Sequence, residues 1–190
     1  MNDNNIVLPK FYSEIKIDSE KISFSMPSDL QTGSFLRTLI ASKKDGHFLE
    51  LGTGTGLSLA WMIEGMNENS NLISIDNLAE YQNVAKKYFQ KSNVSFVCDD
   101  AEKWILNYNG EKFDLIFADA WPGKYAVLEE TLQLLKPGGI YLIDDMLQQK
   151  NWPKNHDKNV EILIQDLEKR NDIQLTKMCW STGLILITKK

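Results

Sequence analysis

Residues 48–61 read FLELGTGTGLSLAW, and the interpretation of the whole chain starts from them. A short apolar run carrying Glu50 leads into Gly52, Gly54 and Gly56, and a helix-compatible run follows at once. This order predicts a strand, a tight loop and the N-terminus of a helix. Glycines let the backbone approach a ligand closely, and the first N–H groups of the helix face that ligand. The stretch therefore predicts an anion-binding loop, with a glycine-rich turn that binds nothing as the alternative.

The length and charge of the chain favour one domain that does not bind nucleic acid. Its 190 residues, 43% of them hydrophobic, are enough for a single core. A net charge of -5 disfavours a protein that follows phosphate backbones. The polar start MNDNNIVLPK is unlike a secretory signal, and no apolar run approaches the roughly 20 residues that a membrane helix needs. We therefore expect a cytoplasmic protein without nucleic-acid or membrane partners.

Residues 1–27 lack firm periodicity, and we expect them to form an extended or partly helical arm before one domain over residues 28–190. A helix is predicted over residues 28–44, because apolar residues recur there at near-helical spacing, with Gly33 as a local weakness. We interpret this helix as a packing element. The alternative is that residues 26–33 close over a ligand.

Downstream of the glycine loop, predicted strands and helices alternate, which is typical of a mostly parallel sheet with helices on both faces. The further predicted strands are residues 72–75, 94–98, 113–118, 140–143, 173–180 and 184–188. The predicted helices are residues 78–90, 101–108, 126–135 and 155–170. Pro137-Gly138-Gly139 is expected to stop the third of these helices, and the last two strands are expected to be antiparallel. Cys98 and Cys179, near strand ends, are expected to be small buried thiols.

Acidic residues follow four consecutive strands of this predicted sheet. They are Asp76, Asp99 with Asp100, Asp119, and Asp144 with Asp145. Ligands of open α/β sheets bind outside the carboxyl ends of the strands, so these acids predict a ligand site at that edge. Solvated turn carboxylates are the alternative, because Asp is common in turns.

These motifs resemble those of the class I S-adenosylmethionine-dependent methyltransferases. The segments LELGTGTG, LISID, FVCDDAEKW, FDLIFADAW and LKPGGIYLIDD are similar to the ordered motifs of that class. Within it, the chain resembles the small catechol and caffeoyl-CoA O-methyltransferases, whose strand 4 Asp precedes a Tyr by six positions, as Asp119 precedes Tyr125. The resemblance implies a doubly wound, Rossmann-like α/β domain with strand order 3-2-1-4-5-7-6 and strand 7 antiparallel. It also implies a small-molecule methyl acceptor. A homodimer is the candidate assembly, although the sequence itself does not identify the oligomeric state.

The parts of S-adenosylmethionine match the residue types in these motifs. The loop and helix N-terminus suit its carboxylate, Glu50 suits its ammonium directly or through water, and Asp76 suits its ribose hydroxyls. Asp100 can accept from the adenine amino group while Ala101 leaves room for the ring. The full set of cofactor-binding candidates is Glu50, Gly52, Thr53, Gly54, Gly56, Asp76, Asn77, Asp100, Ala101 and Asp119. A nicotinamide dehydrogenase is disfavoured, because the third glycine falls one position short of G-x-G-x-x-G.

Catechol-type relatives hold two adjacent acceptor oxygens on a divalent cation, which acts as Lewis acid and template. The resemblance implies Asp119, Asp144 and Asp145 as that oxygen site, suited to Mg²⁺ or Ca²⁺. The chain departs from these relatives twice, because Asp145 replaces an Asn and Pro122 stands where they carry a catalytic Lys. Lys124 can substitute for that lysine, with a surface lysine in a loop as the alternative.

The catalytic candidates are Asp119, Lys124 and His156, the last because His suits proton abstraction near neutral pH. A polar residue in the first turn of the last long helix is the alternative for His156. Trp121 and Trp152 are expected to be aromatic walls of the acceptor pocket or anchors of loops. We expect O-methylation of a small aromatic or vicinal-diol acceptor. An aminopropyltransferase-like enzyme, a nucleic-acid methyltransferase and a non-catalytic S-adenosylmethionine-binding module are the alternatives.

Overall fold

The computed structural model describes residue 2, residues 5–149 and residues 152–190, so residues 1, 3 and 4 of the predicted arm lie outside it. Within these residues the strands are β1 (His47–Leu51), β2 (Asn71–Asp76), β3 (Val94–Cys98), β4 (Phe113–Ala118), β5 (Leu135–Ile143), β6 (Ile173–Met178) and β7 (Leu184–Lys189). The helices are α1 (Tyr12–Lys21), α2 (Leu30–Ala41), α3 (Leu57–Gly65), α4 (Ala79–Phe89), α5 (Ala101–Asn107), α6 (Leu128–Gln133) and α7 (His156–Glu168).

The strands form one sheet of order β3-β2-β1-β4-β5-β7-β6. The pairs among β1 to β5 are parallel, and β7 is antiparallel to both β5 and β6. The central strands are buried on both faces, because parallel sheets of this kind carry helices on each side. The predicted fold class and strand order are confirmed.

Two hydrophobic cores lie on opposite faces of the sheet, because successive strand residues point to opposite sides. Leu49 and Leu51 pack towards α5, α6 and α7, whereas Phe48 packs towards α1, α2, α3 and α4. Helix α1 joins the second core through Tyr12, whose ring lies 5.7 Å from that of Trp61. The first residues of the chain therefore contribute a core helix as well as extended segments.

Gly33, which the sequence suggested would weaken its helix, has a packing role. It lies in α2 where that helix crosses α3, and a Cβ at this position would overlap the indole of Trp61. Close approach of the two helices therefore requires glycine here.

Two local predictions are wrong. Strand β5 begins at Leu135, so Pro137-Gly138-Gly139 lies inside the strand, where the pairing with β4 changes register. An irregular segment of this kind tolerates proline because it interrupts the ladder anyway. Cys98 and Cys179 are exposed, since Cys98 ends the edge strand β3 and Cys179 lies just beyond β6.

No helix in the described part of the chain is both long enough and apolar enough to cross a membrane.

Candidate active site

The loop between β1 and α3 has the conformation that its glycines predict. Gly52, Gly54 and Gly56 have φ angles of +102°, +49° and +93°, and α3 begins at Leu57. A Cβ on Gly52 would lie 3.0 Å from the carbonyl oxygen of Asp119. The loop therefore presents backbone and the N-terminus of α3 at the carboxyl edge of the sheet.

Glu50 lies fully buried beneath this loop. Its two carboxylate oxygens accept hydrogen bonds from Ser58 Oγ at 2.6 Å and Ser74 Oγ at 2.5 Å. Burial raises the pKa of Glu50 to about 7, against the opposing effect of the two hydroxyl donors. Thr53 Oγ1 lies 2.6 Å from Ser74 Oγ and extends this network into the loop. The network therefore joins the loop to a buried carboxyl group whose pKa is raised towards neutral pH.

Asp76 ties the glycine loop to the end of β2. Its Oδ2 accepts from the N–H of Gly54 at 2.7 Å, and its Oδ1 accepts from the N–H of Leu78 at 2.8 Å. A carboxylate oxygen has two lone pairs, so each oxygen can accept one more hydrogen bond from a ligand hydroxyl. The neighbouring Asn77 is exposed at the same rim.

Asp100 is the N-cap of α5, a role that sequence analysis missed. Its Oδ1 accepts from the backbone N–H groups of Glu102 at 2.8 Å and Lys103 at 3.4 Å. Ala101 is buried behind it. An Asp followed by three helix-compatible residues is the signal that would have predicted the cap.

The segment before α2 covers the glycine loop. The ring of Phe24 lies against Gly54, so that a Cβ there would lie 2.9 Å from Phe24 Cζ, and Ser28 Oγ donates to Asp119 Oδ2 at 3.0 Å. The cavity between this segment and the loop is about 20 Å³, the space of about one water molecule. With residues 24–28 in this position, the cavity has no room for a nucleoside-sized ligand. Residues 30–33 belong to α2 instead.

Asp119 and Asp144 end the neighbouring strands β4 and β5, and with Asp145 they form what we call the acidic cluster. Asp144 is 1% exposed, and its Oδ1 accepts from Thr182 Oγ1 at 2.5 Å and from the N–H of Asp145 at 2.8 Å. Burial, together with repulsion from neighbouring carboxylates, raises the pKa of Asp144 to about 6 and the pKa of Asp119 well above its ordinary value. Asp145 adopts a left-handed backbone, with φ +63°.

Lys124 enters this cluster from the loop after β4. It is 4% exposed, and its Nζ donates to the carbonyl oxygen of Asp144 at 3.0 Å. Its charge acts against the increase in the pKa of Asp119 and Asp144. The loop is held in place by Tyr141, whose hydroxyl donates to the carbonyl of Gly123 at 2.6 Å. The surface-lysine alternative for Lys124 is therefore wrong.

The acidic cluster does not present a set of carboxylates ready for a divalent ion. Among the described residues, no three His, Cys, Asp or Glu side chains are grouped so that they could hold a metal. Asp119 Oδ2 accepts a hydrogen bond from a hydroxyl, Asp144 Oδ1 accepts from a hydroxyl and an amide, and the nearby positive charge belongs to Lys124. The donors Asp119, Asp144 and Asp145 have the oxygen chemistry of a Mg²⁺ or Ca²⁺ site, but this arrangement does not fit one.

Three aromatic side chains pack around His156, the first residue of α7. The ring of His156 lies 4.9 Å from Trp121, 5.0 Å from Tyr125 and 4.6 Å from Trp152. His156 is 5% exposed, and burial, followed by the charge of Lys124, lowers its pKa. Its Nδ1 and the hydroxyl of Tyr125 are buried and make no hydrogen bond to any described residue. Unpaired buried polar atoms of this kind indicate a place for water or for a polar group of a ligand.

The structure thus groups the predicted residues in two neighbouring places. Glu50, the glycines and Asp76 surround the loop, while Asp119, Lys124 and Asp144 meet at the ends of β4 and β5. The contributions of Phe24 and Thr182 had no signal in the sequence, since both come from distant parts of the chain. Ser28 belongs to residues 26–33, which the alternative interpretation placed over a ligand. His47 lies at the other end of β1, stacked on Phe113.

Residues 10–190 match the family described as O-methyltransferase. One relative is a curated protein of Mycolicibacterium vanbaalenii that is named an O-methyltransferase by inference. The two sequences are 33% identical over 101 residues, which make up 50% of this chain and 45% of that protein. The chain spans about half the length of the curated relatives it matches.

Two solved structures share the fold. The O-methyltransferase TomG of Streptomyces achromogenes, involved in tomaymycin synthesis and solved in complex with S-adenosylmethionine, matches with a TM-score of 0.84 at 18% identity, covering 98% of this chain and 92% of that chain. An O-methyltransferase of Bacillus cereus, solved with S-adenosylhomocysteine, matches with a TM-score of 0.83 at 18% identity, covering 99% and 94%. At these identities the likeness concerns the fold.

Proposed function

The chain belongs to the O-methyltransferase family, and from this premise we propose that it transfers the methyl group of S-adenosylmethionine to an oxygen of a small acceptor. The observation that carries the proposal is the juxtaposition of the glycine loop, with Glu50 and Asp76, and the buried cluster of Asp119, Lys124 and Asp144. The solved complexes of the Streptomyces and Bacillus proteins, which share this fold, support the choice of cofactor.

The residues around the glycine loop fit the separate parts of this cofactor. The N-terminus of α3 faces the cofactor carboxylate, and Glu50 compensates its ammonium charge through the serine network. Asp76, oriented by two backbone N–H groups, accepts from the ribose hydroxyls. Asp100 and Ala101, at the start of α5, lie beside the adenine. The bound cofactor supplies a methyl group made electrophilic by its sulfonium.

The acceptor is proposed to lie between the acidic cluster and the aromatic side chains around His156. Trp121, Tyr125 and Trp152 surround His156 and provide apolar surface for a flat molecule. Asp119, whose pKa is raised by burial, is suited to take the proton of an acceptor hydroxyl. Positioning of the acceptor oxygen supplies most of the expected rate enhancement. Of the catalytic candidates, Asp119 and Lys124 act at the oxygen, and His156 shapes the pocket.

The test is turnover of methyl-labelled S-adenosylmethionine with a panel of monophenols, catechols and aliphatic alcohols. Labelled methyl ether and an equal amount of S-adenosylhomocysteine are expected with at least one acceptor class. Cofactor binding by calorimetry without any product would instead support the non-catalytic module, and label on an amine would contradict O-methylation. A cytoplasmic location and a homodimer belong to the same proposal, and cell fractionation and light scattering test them.

A further inference from the structure

Lys124 is an unusual residue to find buried in the acidic cluster. A long, strongly hydrated side chain is seldom buried unless an opposite charge compensates the loss of water. Here Lys124 points inward from the loop after β4. Trp121 in the same loop is 52% exposed, whereas Lys124 is only 4% exposed. The ammonium and the buried acids therefore compensate one another.

We propose that the ammonium of Lys124 is the resident cation of the acidic cluster, so that the acceptor oxygen is bound without a divalent metal. Its part in acceptor binding rests on the proposed methyl transfer, whereas the exclusion of metal from the cluster does not. The ammonium is anchored on the carbonyl of Asp144 at 3.0 Å, at the end of β5. The charge of Lys124 acts on Asp119 and Asp144 through space, without a direct ion pair to either carboxylate, and it would repel a divalent ion bound between them.

The hydrogen bonds of the carboxylates also disfavour a metal ion. Asp144 Oδ1 accepts from both Thr182 Oγ1 and the N–H of Asp145, and Asp119 Oδ2 accepts from Ser28 Oγ. These donors come from the β6–β7 turn, from the strand end itself and from the segment before α2. Metal coordination by Asp144 would have to compete with donors from the strand end and from the β6–β7 turn. In this closed arrangement, coordination by Asp119 would also compete with Ser28.

The lysine also sets the class of acceptor. An ammonium has three N–H donors, and the Asp144 carbonyl accounts for one of them. One of the other two can donate to an acceptor oxygen, which polarises the O–H bond of the acceptor while Asp119 accepts the proton. A metal that binds two adjacent oxygens favours a vicinal diol, whereas an ammonium needs one hydroxyl. We therefore expect monophenols or single hydroxyls to be methylated as readily as catechols.

The metal part is tested by Mn²⁺ binding, measured by electron paramagnetic resonance on the full chain. The wild-type protein and Lys124→Arg, which keeps the charge, are expected to bind no Mn²⁺ at the cluster at millimolar concentration. Lys124→Ala leaves the three acids without the ammonium, and it is expected to bind Mn²⁺ at least tenfold more tightly than the wild type does. Adding Asp144→Asn to Lys124→Ala should abolish this binding. Lys16→Met, an exposed lysine on α1, is the matched control and should behave as wild type.

The catalytic part is tested by turnover with and without EDTA. EDTA is expected to change the turnover of the wild type by less than twofold. Lys124→Met should lower kcat at least a hundredfold, while its affinity for the cofactor stays within a fewfold of the wild-type value. Wild-type Mn²⁺ binding that Asp144→Asn abolishes, or EDTA inhibition that Mg²⁺ reverses, would overturn the proposal. If no acceptor is turned over, the proposed function fails, and the Mn²⁺ measurements still decide whether the lysine excludes metal. Melting curves of Lys124→Ala and Lys124→Met identify a variant that is unfolded, and Lys124→Gln then takes its place.

Discussion

Replacing Glu50 with Gln tests the electrostatics beneath the glycine loop. The carboxyl group is fully buried and held by Ser58 and Ser74. Gln keeps the size of the side chain and can both accept from and donate to these hydroxyls. The substitution therefore removes the titratable charge with little change in packing.

The expected effect on stability depends on pH. Burial raises the pKa of Glu50 from the ordinary 4.5 to about 7, so between these values the folded protein binds the proton more tightly than the unfolded chain. The contribution of Glu50 to folding is therefore greatest below pH 4.5, falls as the pH rises and is constant above pH 7. At about 1.4 kcal/mol per pH unit, the wild type loses about 3 kcal/mol over this range. Glu50→Gln should be more stable than the wild type by about that amount at alkaline pH and about equal at acid pH.

The assay is urea denaturation of both proteins from acid to alkaline pH, followed by tryptophan fluorescence and far-UV circular dichroism. The stability difference should grow with pH while the denaturant slope m stays unchanged. Glu80→Gln, an exposed carboxyl in the first turn of α4, is the matched control and should show no such trend. The reasoning is refuted if the two proteins differ in stability by the same amount at acid and at alkaline pH. The pKa of Glu50 would then be the same in the folded and the unfolded state.

Three further substitutions test other parts of the site and core. Asp76→Ala should weaken S-adenosylmethionine binding by about 1.5–3 kcal/mol in calorimetry, because one charged hydrogen-bond acceptor for the ribose is lost. Asp119→Asn should lower kcat at least tenfold more than it lowers cofactor affinity, because its proposed role is at the acceptor oxygen. Gly33→Ala should lower the free energy of unfolding by about 1–3 kcal/mol in denaturant melts, because the new Cβ overlaps the Trp61 indole.

For each of these three substitutions, a specific result would contradict the prediction. Asp99→Ala, an exposed acid after β3, is the control for Asp76 and should leave cofactor affinity unchanged. Unchanged affinity in Asp76→Ala would remove the ribose assignment, and equal losses of turnover and affinity in Asp119→Asn would place Asp119 in the cofactor site. A Gly33→Ala variant as stable as the wild type would show that α2 and α3 can separate without loss.

Much of the fold followed from local sequence patterns. The alternation of apolar strands with helices predicted the parallel sheet, and the strand order was carried by the family resemblance. The glycine spacing predicted the loop, because positive φ angles are a local property of the backbone. The acids at the strand ends were correctly expected at one edge, since parallel strands all end on the same side.

Burial and the meeting of distant residues were decided by tertiary packing. Lys124 has the sequence context of a surface loop, yet the folded chain buries it, because the charges that compensate it lie on strands β4 and β5. The covering of Gly54 by Phe24 likewise joins residues from different segments. A sequence pattern reports the conformation of neighbours in the chain. The cost of burying a charge depends on groups far away in sequence, so only the assembled sheet determines which charges are compensated.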